Sequence, residues 1–103
     1  MRGCIGTGNL LNGRYIIKCI LGYGGYGITY KAYDSVLNIN VAIKEYFPAN
    51  LVMRAQNSQE VLLYNDECGD IYEKNIRNFV SEARYIAQFN ENPNIIIYRN
   101  FLN

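Results

Sequence analysis

The alternation of apolar and polar positions divides the first half of the chain into three predicted strands. Each is rich in β-branched and aromatic residues, a composition typical of half-buried strands. The predicted strands cover about 14–22, 27–34 and 39–46. Pro48 ends the third, because proline has no N–H to donate to a neighbouring strand. Since the connections are short, the strands are predicted to be antiparallel neighbours.

The second half carries the periodicity of an amphipathic helix. Apolar residues recur three and four positions apart, which predicts one long helix over about 71–89. Asp70 and Glu73 have the spacing of a capping box with Asp70 at the cap, and Pro93 marks the end. The apolar run that follows predicts a last strand over about 95–102.

Two segments outside these elements have weaker patterns. Residues 1–12 are rich in glycine and asparagine, which predicts a flexible lead-in to a domain over 13–103. Between the third strand and the helix, the apolar runs 51–54 and 61–64 flank a polar stretch. That arrangement predicts a small excursion hairpin.

Composition narrows the class of protein. The 103 residues suffice for one domain, and 50% hydrophobic with 18% charged residues is typical of a globular chain. The net charge of +1 gives no argument for a nucleic acid or an anionic membrane as partner. No apolar run approaches the roughly 20 residues that span a bilayer. Three cysteines without a histidine argue against a disulfide framework or a zinc site, so a soluble, cytoplasmic chain without a metal site is expected.

A glycine cluster between the first two strands is the first candidate for chemistry. Gly22, Gly24 and Gly27 form a G-x-G-x-x-G pattern, in which glycine lets backbone N–H groups approach phosphate oxygens closely. A dinucleotide-binding turn requires a helix directly after the last glycine and an acid about 20 residues on. Glu45 lies at nearly that spacing, but residues 28–33 are strand-forming. The pattern therefore favours a phosphate-covering β-hairpin, with a dinucleotide-binding fragment as a weaker alternative.

A lysine on the third strand is the second candidate. Lys44 ends the run Val41-Ala42-Ile43-Lys44, and Glu82 lies beside the apolar stripe of the helix without a cation four residues to either side. An unpaired buried charge is costly, so Lys44 and Glu82 are predicted to pair.

Together these motifs resemble the small lobe of protein kinases, and specifically the bacterial, eukaryotic-like serine/threonine kinases. The resemblance covers about residues 11–103. The matching pieces are 21–30, 41–48, Arg54, 79–84 and 92–96. It implies an α+β fold, with a twisted antiparallel sheet of the four predicted strands and one long helix. The family's fifth strand and its large lobe are absent from this sequence.

The resemblance also implies roles for individual residues. The glycines would cover the phosphates of ATP, and Leu21 and Ala42 would sandwich the adenine. Lys44 and Glu82 would form the catalytic pair, in which Glu82 orients Lys44 and Lys44 holds the α- and β-phosphates. Thr29 departs from the family's usual valine. The implied ATP-binding residues are Leu21, Gly22, Tyr23, Gly24, Gly25, Tyr26, Gly27, Thr29, Ala42 and Lys44.

The sequence lacks the family's catalytic machinery. It contains no histidine and no Asp-Phe-Gly, so the catalytic base and the Mg²⁺ ligands would belong to a full-length parent. We expect the fragment to bind ATP weakly or not at all and to transfer no phosphate, whereas the parent would phosphorylate serine or threonine of a protein substrate. The alternative is a non-catalytic module that self-associates or docks on a partner.

Without the fifth strand, the strand over 39–46 is predicted to have an open edge. Open edges recruit further strands. Residues 95–102 are therefore expected to pair with it directly or to exchange between copies, which would make a homo-oligomer.

Overall fold

The computed structural model describes residues 4–56, 58–89 and 95–99. Among these residues it has seven strands and one helix, which include the three predicted strands and the predicted helix. The elements are β1 (Leu10–Leu11), β2 (Tyr15–Tyr23), β3 (Gly27–Asp34), β4 (Ile39–Tyr46), β5 (Val52–Arg54), β6 (Val61–Leu63), α1 (Cys68–Phe89) and β7 (Ile95–Tyr98). Within this described part, no helix is both long and apolar enough to cross a membrane.

The main sheet has five strands in the order β1-β2-β3-β4-β7. The pairs β2–β3 and β3–β4 are antiparallel, as predicted, and β1 also pairs antiparallel with β2, whereas β7 runs parallel to β4. The prediction of an antiparallel sheet is therefore wrong at this edge. The cause is the connection, because a chain that returns through a hairpin and a helix can re-enter the sheet in its original direction.

The edge of β4 is covered by β7 rather than open. Ala42 is opposite Ile95 and Glu45 is opposite Tyr98, so the predicted direct pairing is confirmed for these four residues of β7. The rest of the predicted strand, 100–102, lies outside the described residues.

The excursion hairpin predicted between the third strand and the helix is confirmed. β5 and β6 pair antiparallel as a separate two-stranded sheet, with Val52 opposite Leu63. Val52 and Val61 are buried, which docks the hairpin onto the core.

Helix α1 begins earlier than predicted. Its first residue is Cys68, whose backbone N–H donates to the side-chain Oδ1 of Asn65 at 3.2 Å. Asn65 therefore caps the helix, and the predicted capping box of Asp70 and Glu73 is wrong because both residues already lie inside the helix. The predicted stop at Pro93 falls outside the described residues.

The N-terminal segment contributes to the core. Ile5 and Leu11 are buried, although the sequence pattern placed both in a flexible lead-in. Hydrogen bonds from Gly8 N to Ile17 O and from Ile17 N to Asn9 O tie the segment to β2.

A charged network lies at the centre of the fold. Glu45 has no exposure to solvent and accepts two hydrogen bonds of 2.8 Å from the guanidinium of Arg54. The hydroxyl of Tyr30 donates a third, also of 2.8 Å, and itself accepts one from the backbone N–H of Ile5. The guanidinium stacks 4.6 Å from the ring of Phe47. The network therefore joins the N-terminal segment, β3, β4 and the excursion hairpin.

We expect Arg54→Met to destabilise the protein strongly. The variant leaves Glu45 buried without its cation, and breaking a buried ion pair in this way costs about 3–5 kcal/mol. Chemical denaturation measures the effect. The double variant Glu45→Gln/Arg54→Met removes the orphaned charge and is expected to be more stable than Arg54→Met alone. A double variant that is less stable than the single variant would contradict this assignment.

We expect the contribution of Asp34 to the stability of the fold to depend on pH. Its carboxylate accepts two hydrogen bonds from the Arg14 guanidinium, at 2.9 and 2.8 Å, which lower the pKa of Asp34 to about 2. Because the folded pKa lies below the unfolded one, the stabilisation is complete above about pH 4 and is lost as the pH falls towards about 2. The stability difference between the protein and Asp34→Asn, measured by urea unfolding, should shrink over that range. A constant difference would contradict the prediction.

Candidate functional site

The turn between β2 and β3 lies over a cleft of about 290 Å³. Helix α1 forms the opposite wall, and β4 contributes one side chain. The lining residues are Gly22, Tyr23, Gly24, Gly25, Tyr26, Gly27, Ile28, Thr29, Lys44, Phe79, Glu82 and Ala83. Of the residues predicted from the sequence, the cleft therefore brings together the glycine loop, Thr29, Lys44 and Glu82.

Two backbone hydrogen bonds hold the glycine loop in place. Gly24 N donates to Gly27 O at 2.9 Å and closes the turn, while Phe47 N donates to Tyr26 O at 2.9 Å. The second bond attaches the tip of the loop to the residue that follows β4. The chain therefore folds back as a hairpin rather than entering a helix at Ile28, as the strand-forming sequence of β3 predicted.

Gly27 is the glycine of the loop at which an added side chain would meet other atoms closely. A Cβ there would overlap the carbonyl oxygen of Glu45 and would lie 2.9 Å from Cε2 of Phe79. By contrast, a Cβ at Gly24 or Gly25 would meet open space. Gly27 thus lets the loop pack against β4 and α1, and the loop tip stays open towards the cleft.

Lys44 projects from β4 into the cleft and is half-buried. Thr29 is directly opposite it in the β3–β4 register. The ammonium Nζ donates to Thr29 Oγ1 at 3.4 Å, a long hydrogen bond. The cation is therefore held on the cleft floor by a neutral hydroxyl.

Glu82 faces the same cleft from α1 but does not pair with Lys44. No ion pair within 4.0 Å joins the two residues, and Glu82 is exposed. The predicted pairing is therefore wrong for this structure. Its physical reason is that Glu82 lies beside the buried stripe of the helix rather than within it, so its carboxylate is hydrated and needs no cation.

The position of α1 is set by aromatic packing below the cleft. The hydroxyl of Tyr46 donates to the backbone carbonyl of Tyr72 at 2.7 Å, and its ring lies 5.2 Å from that of Phe79. Burial raises the pKa of Tyr46 to about 12. Tyr46 is thus a neutral hydrogen-bond donor that anchors α1 to β4.

Two predicted residues lie outside this cleft, and three lining residues were not predicted. Leu21 is 58% exposed on β2 and Ala42 is half-buried on β4, and neither lines it. Ile28, Phe79 and Ala83 line it and were not predicted. Ile28 directly follows the last glycine of the loop, whereas Phe79 and Ala83 lie on the apolar stripe of the helix, a position that by itself indicates the core.

Among the described residues, the cleft combines the ammonium of Lys44, the carboxylate of Glu82 and the backbone of the glycine loop. Within the described residues, no cluster of three or more cysteine, aspartate or glutamate side chains suits a metal ion. The arrangement is therefore suited to holding an anionic group between the loop and Lys44.

Comparison with known proteins supports a kinase-like fold. The chain is similar to a solved structure described as PpkA-294 in its apo form, with a TM-score of 0.71 and 32% sequence identity. The match covers 84% of this chain, which spans 30% of the length of that structure. No protein-family model and no curated protein matches the chain. The α+β architecture of the described residues, a five-stranded sheet with one helix, is consistent with a kinase small lobe.

The packing at Gly27 predicts an unequal response to alanine within the loop. We expect Gly27→Ala to lower the free energy of unfolding by about 1–3 kcal/mol, because its Cβ overlaps backbone that cannot rotate away. Gly25→Ala is the matched control and should stay within about 0.5 kcal/mol, since its Cβ meets open space. Thermal and chemical unfolding test the pair, and equal effects of the two substitutions would refute the described packing.

Proposed function

We propose that this chain is the ATP-binding small lobe of a serine/threonine protein kinase. In this proposal the full-length parent transfers the γ-phosphate of ATP to a serine or threonine hydroxyl of a protein. The proposal rests above all on one observation, namely that the glycine loop, Lys44 and Glu82 border the same cleft. The similarity to PpkA-294 agrees with it.

The chemistry of the cleft fits a polyphosphate. A phosphate chain carries several negative oxygens, which accept hydrogen bonds from backbone N–H groups and from an ammonium. In this proposal the backbone of the open glycine loop supplies the N–H donors, and Lys44 supplies the ammonium at the floor of the cleft. Lysine acts in such sites as a compact point charge with three donors.

The size of the cleft indicates weak binding of the whole nucleotide. At about 290 Å³ it lies at the lower end of ligand-pocket volumes, so it suits the phosphates better than adenine and ribose. Leu21, proposed to cover adenine, is 58% exposed and lies outside it. We therefore propose that adenine is fully enclosed in its binding site only in the full-length parent.

The 103-residue chain alone is not expected to catalyse phosphoryl transfer. Phosphoryl transfer depends on positioning and on stabilising charge with metal ions. The sequence has no histidine for the family's catalytic loop and no Asp-Phe-Gly for its metal. Lys44 and Glu82 would complete their catalytic pair in the parent after α1 moves towards β4.

We expect weak ATP binding by the 103-residue chain, with a Kd on the order of 1 mM, which corresponds to about −4 kcal/mol. Titration followed by ¹⁵N NMR should shift the amide signals of residues 22–29. Lys44→Met should weaken the affinity about tenfold or more, because it removes the only cation among the described residues that line the cleft.

Lys74→Met is the matched control for that titration. It removes the same charge from the exposed side of α1, away from the cleft lining, and should change the affinity less than twofold. Absence of shifts in residues 22–29, or equal effects of the two variants, would contradict the proposal and favour a non-catalytic interaction module.

A further inference from the structure

The partner of Lys44 in this structure is a hydroxyl rather than a carboxylate. Thr29 and Lys44 are directly opposite each other on neighbouring antiparallel strands, where the Cβ atoms of such pairs lie about 4.5–5.5 Å apart. The ammonium donates to Thr29 Oγ1 at 3.4 Å, and both residues line the cleft. Within the described residues, no other side chain accepts a hydrogen bond from Lys44.

The geometry keeps this hydroxyl in place. Threonine is β-branched and has few side-chain rotamers on a strand, so Oγ1 has a restricted position. Thr29 is also half-buried between β2 and β4, opposite Gly22 on one side and Lys44 on the other. Because glycine has no side chain, the hydroxyl of Thr29 has no competing side chain from its β2 neighbour.

We propose that Thr29 is a positioning residue that holds the Lys44 ammonium ready for an incoming phosphate. The inference rests on the proposed function of the cleft. An ammonium has three donors, so one bond to Thr29 leaves two for phosphate oxygens. A lysine side chain that is already confined loses less conformational entropy on binding. Thr29 thus takes over part of the orienting role that Glu82, exposed and unpaired with Lys44, does not perform here.

Two substitutions of Thr29 distinguish the role of its hydroxyl from the role of its β-branched shape. Thr29→Val keeps the β-branched shape and suits a strand, but it removes the acceptor. Thr29→Ser keeps the acceptor and removes the methyl group. A merely structural role for Thr29 predicts that valine is tolerated and serine is not, whereas a positioning role predicts the reverse.

The first measurement is the mobility of the Lys44 side chain in the ligand-free protein. ¹³Cε relaxation by NMR should show Lys44 more ordered than Lys74, which is exposed on α1. In Thr29→Val the order of Lys44 should fall towards that of Lys74, and in Thr29→Ser it should remain. Lys44 order that is unchanged in Thr29→Val would overturn the proposal.

The second measurement is the affinity for inorganic tripolyphosphate, followed at the amide signals of residues 22–29. We expect Thr29→Val to weaken binding about three- to fivefold, because the unconfined Lys44 side chain then loses more conformational entropy when phosphate binds, and Thr29→Ser to remain within twofold. Equal affinities of the valine and serine variants would overturn the positioning role. Lack of tripolyphosphate binding by the unmodified chain would refute the proposed function, while the relaxation experiment would still decide whether Thr29 orders Lys44.

Discussion

A carboxylate without solvent exposure is the constraint on which the rest of this fold depends. Glu45 is stable in the interior only because Arg54 and Tyr30 supply three hydrogen bonds to it. An uncompensated charge at that depth is strongly unfavourable, so the partners must stay together. The excursion hairpin that carries Arg54 therefore has to dock against β4, and the N-terminal segment is drawn in because Ile5 donates to Tyr30. This ion pair and the hydrogen bonds of Tyr30 together fix four parts of the chain relative to one another.

This interior network also fixes the cleft. Side chains on a strand point alternately to its two faces, so a buried Glu45 directs its neighbour Lys44 to the opposite face, where the cleft lies. Helix α1 is held independently, by Tyr46 against Tyr72 and Phe79. The cation and the carboxylate of the candidate site are therefore attached to the fold by separate contacts. Lys44 and Glu82 can therefore lie apart, as they do here, while the Glu45 network and the contacts of Tyr46 with α1 both remain intact.

Local sequence patterns predicted most of the strands and the helix. Several of the features that these patterns did not predict depend on contacts between distant parts of the chain. The strands β2 to β4 and the excursion hairpin follow from alternation and from short connections, which a single sequence displays. The parallel β7 depends on where the chain re-enters the sheet, which alternation does not encode. The Asn65 cap was missed because Asp70 offers the same chemistry a few residues later. Within the site, the loop and Lys44 follow from their motifs, whereas the exposure of Glu82 depends on how α1 packs.

The nature of the Lys44 partner determines the electrostatics of the empty cleft. A carboxylate in contact with the ammonium would offset its charge and would compete with a phosphate for its donors. A hydroxyl orients the ammonium and leaves its positive charge in place, so the floor beneath the glycine loop keeps its attraction for anions. Glu82, hydrated at the rim, adds negative charge at a greater distance, where solvent screens it. Under the proposed function, an anion would enter the cleft first, and closer approach of Glu82 would follow a later movement of the helix.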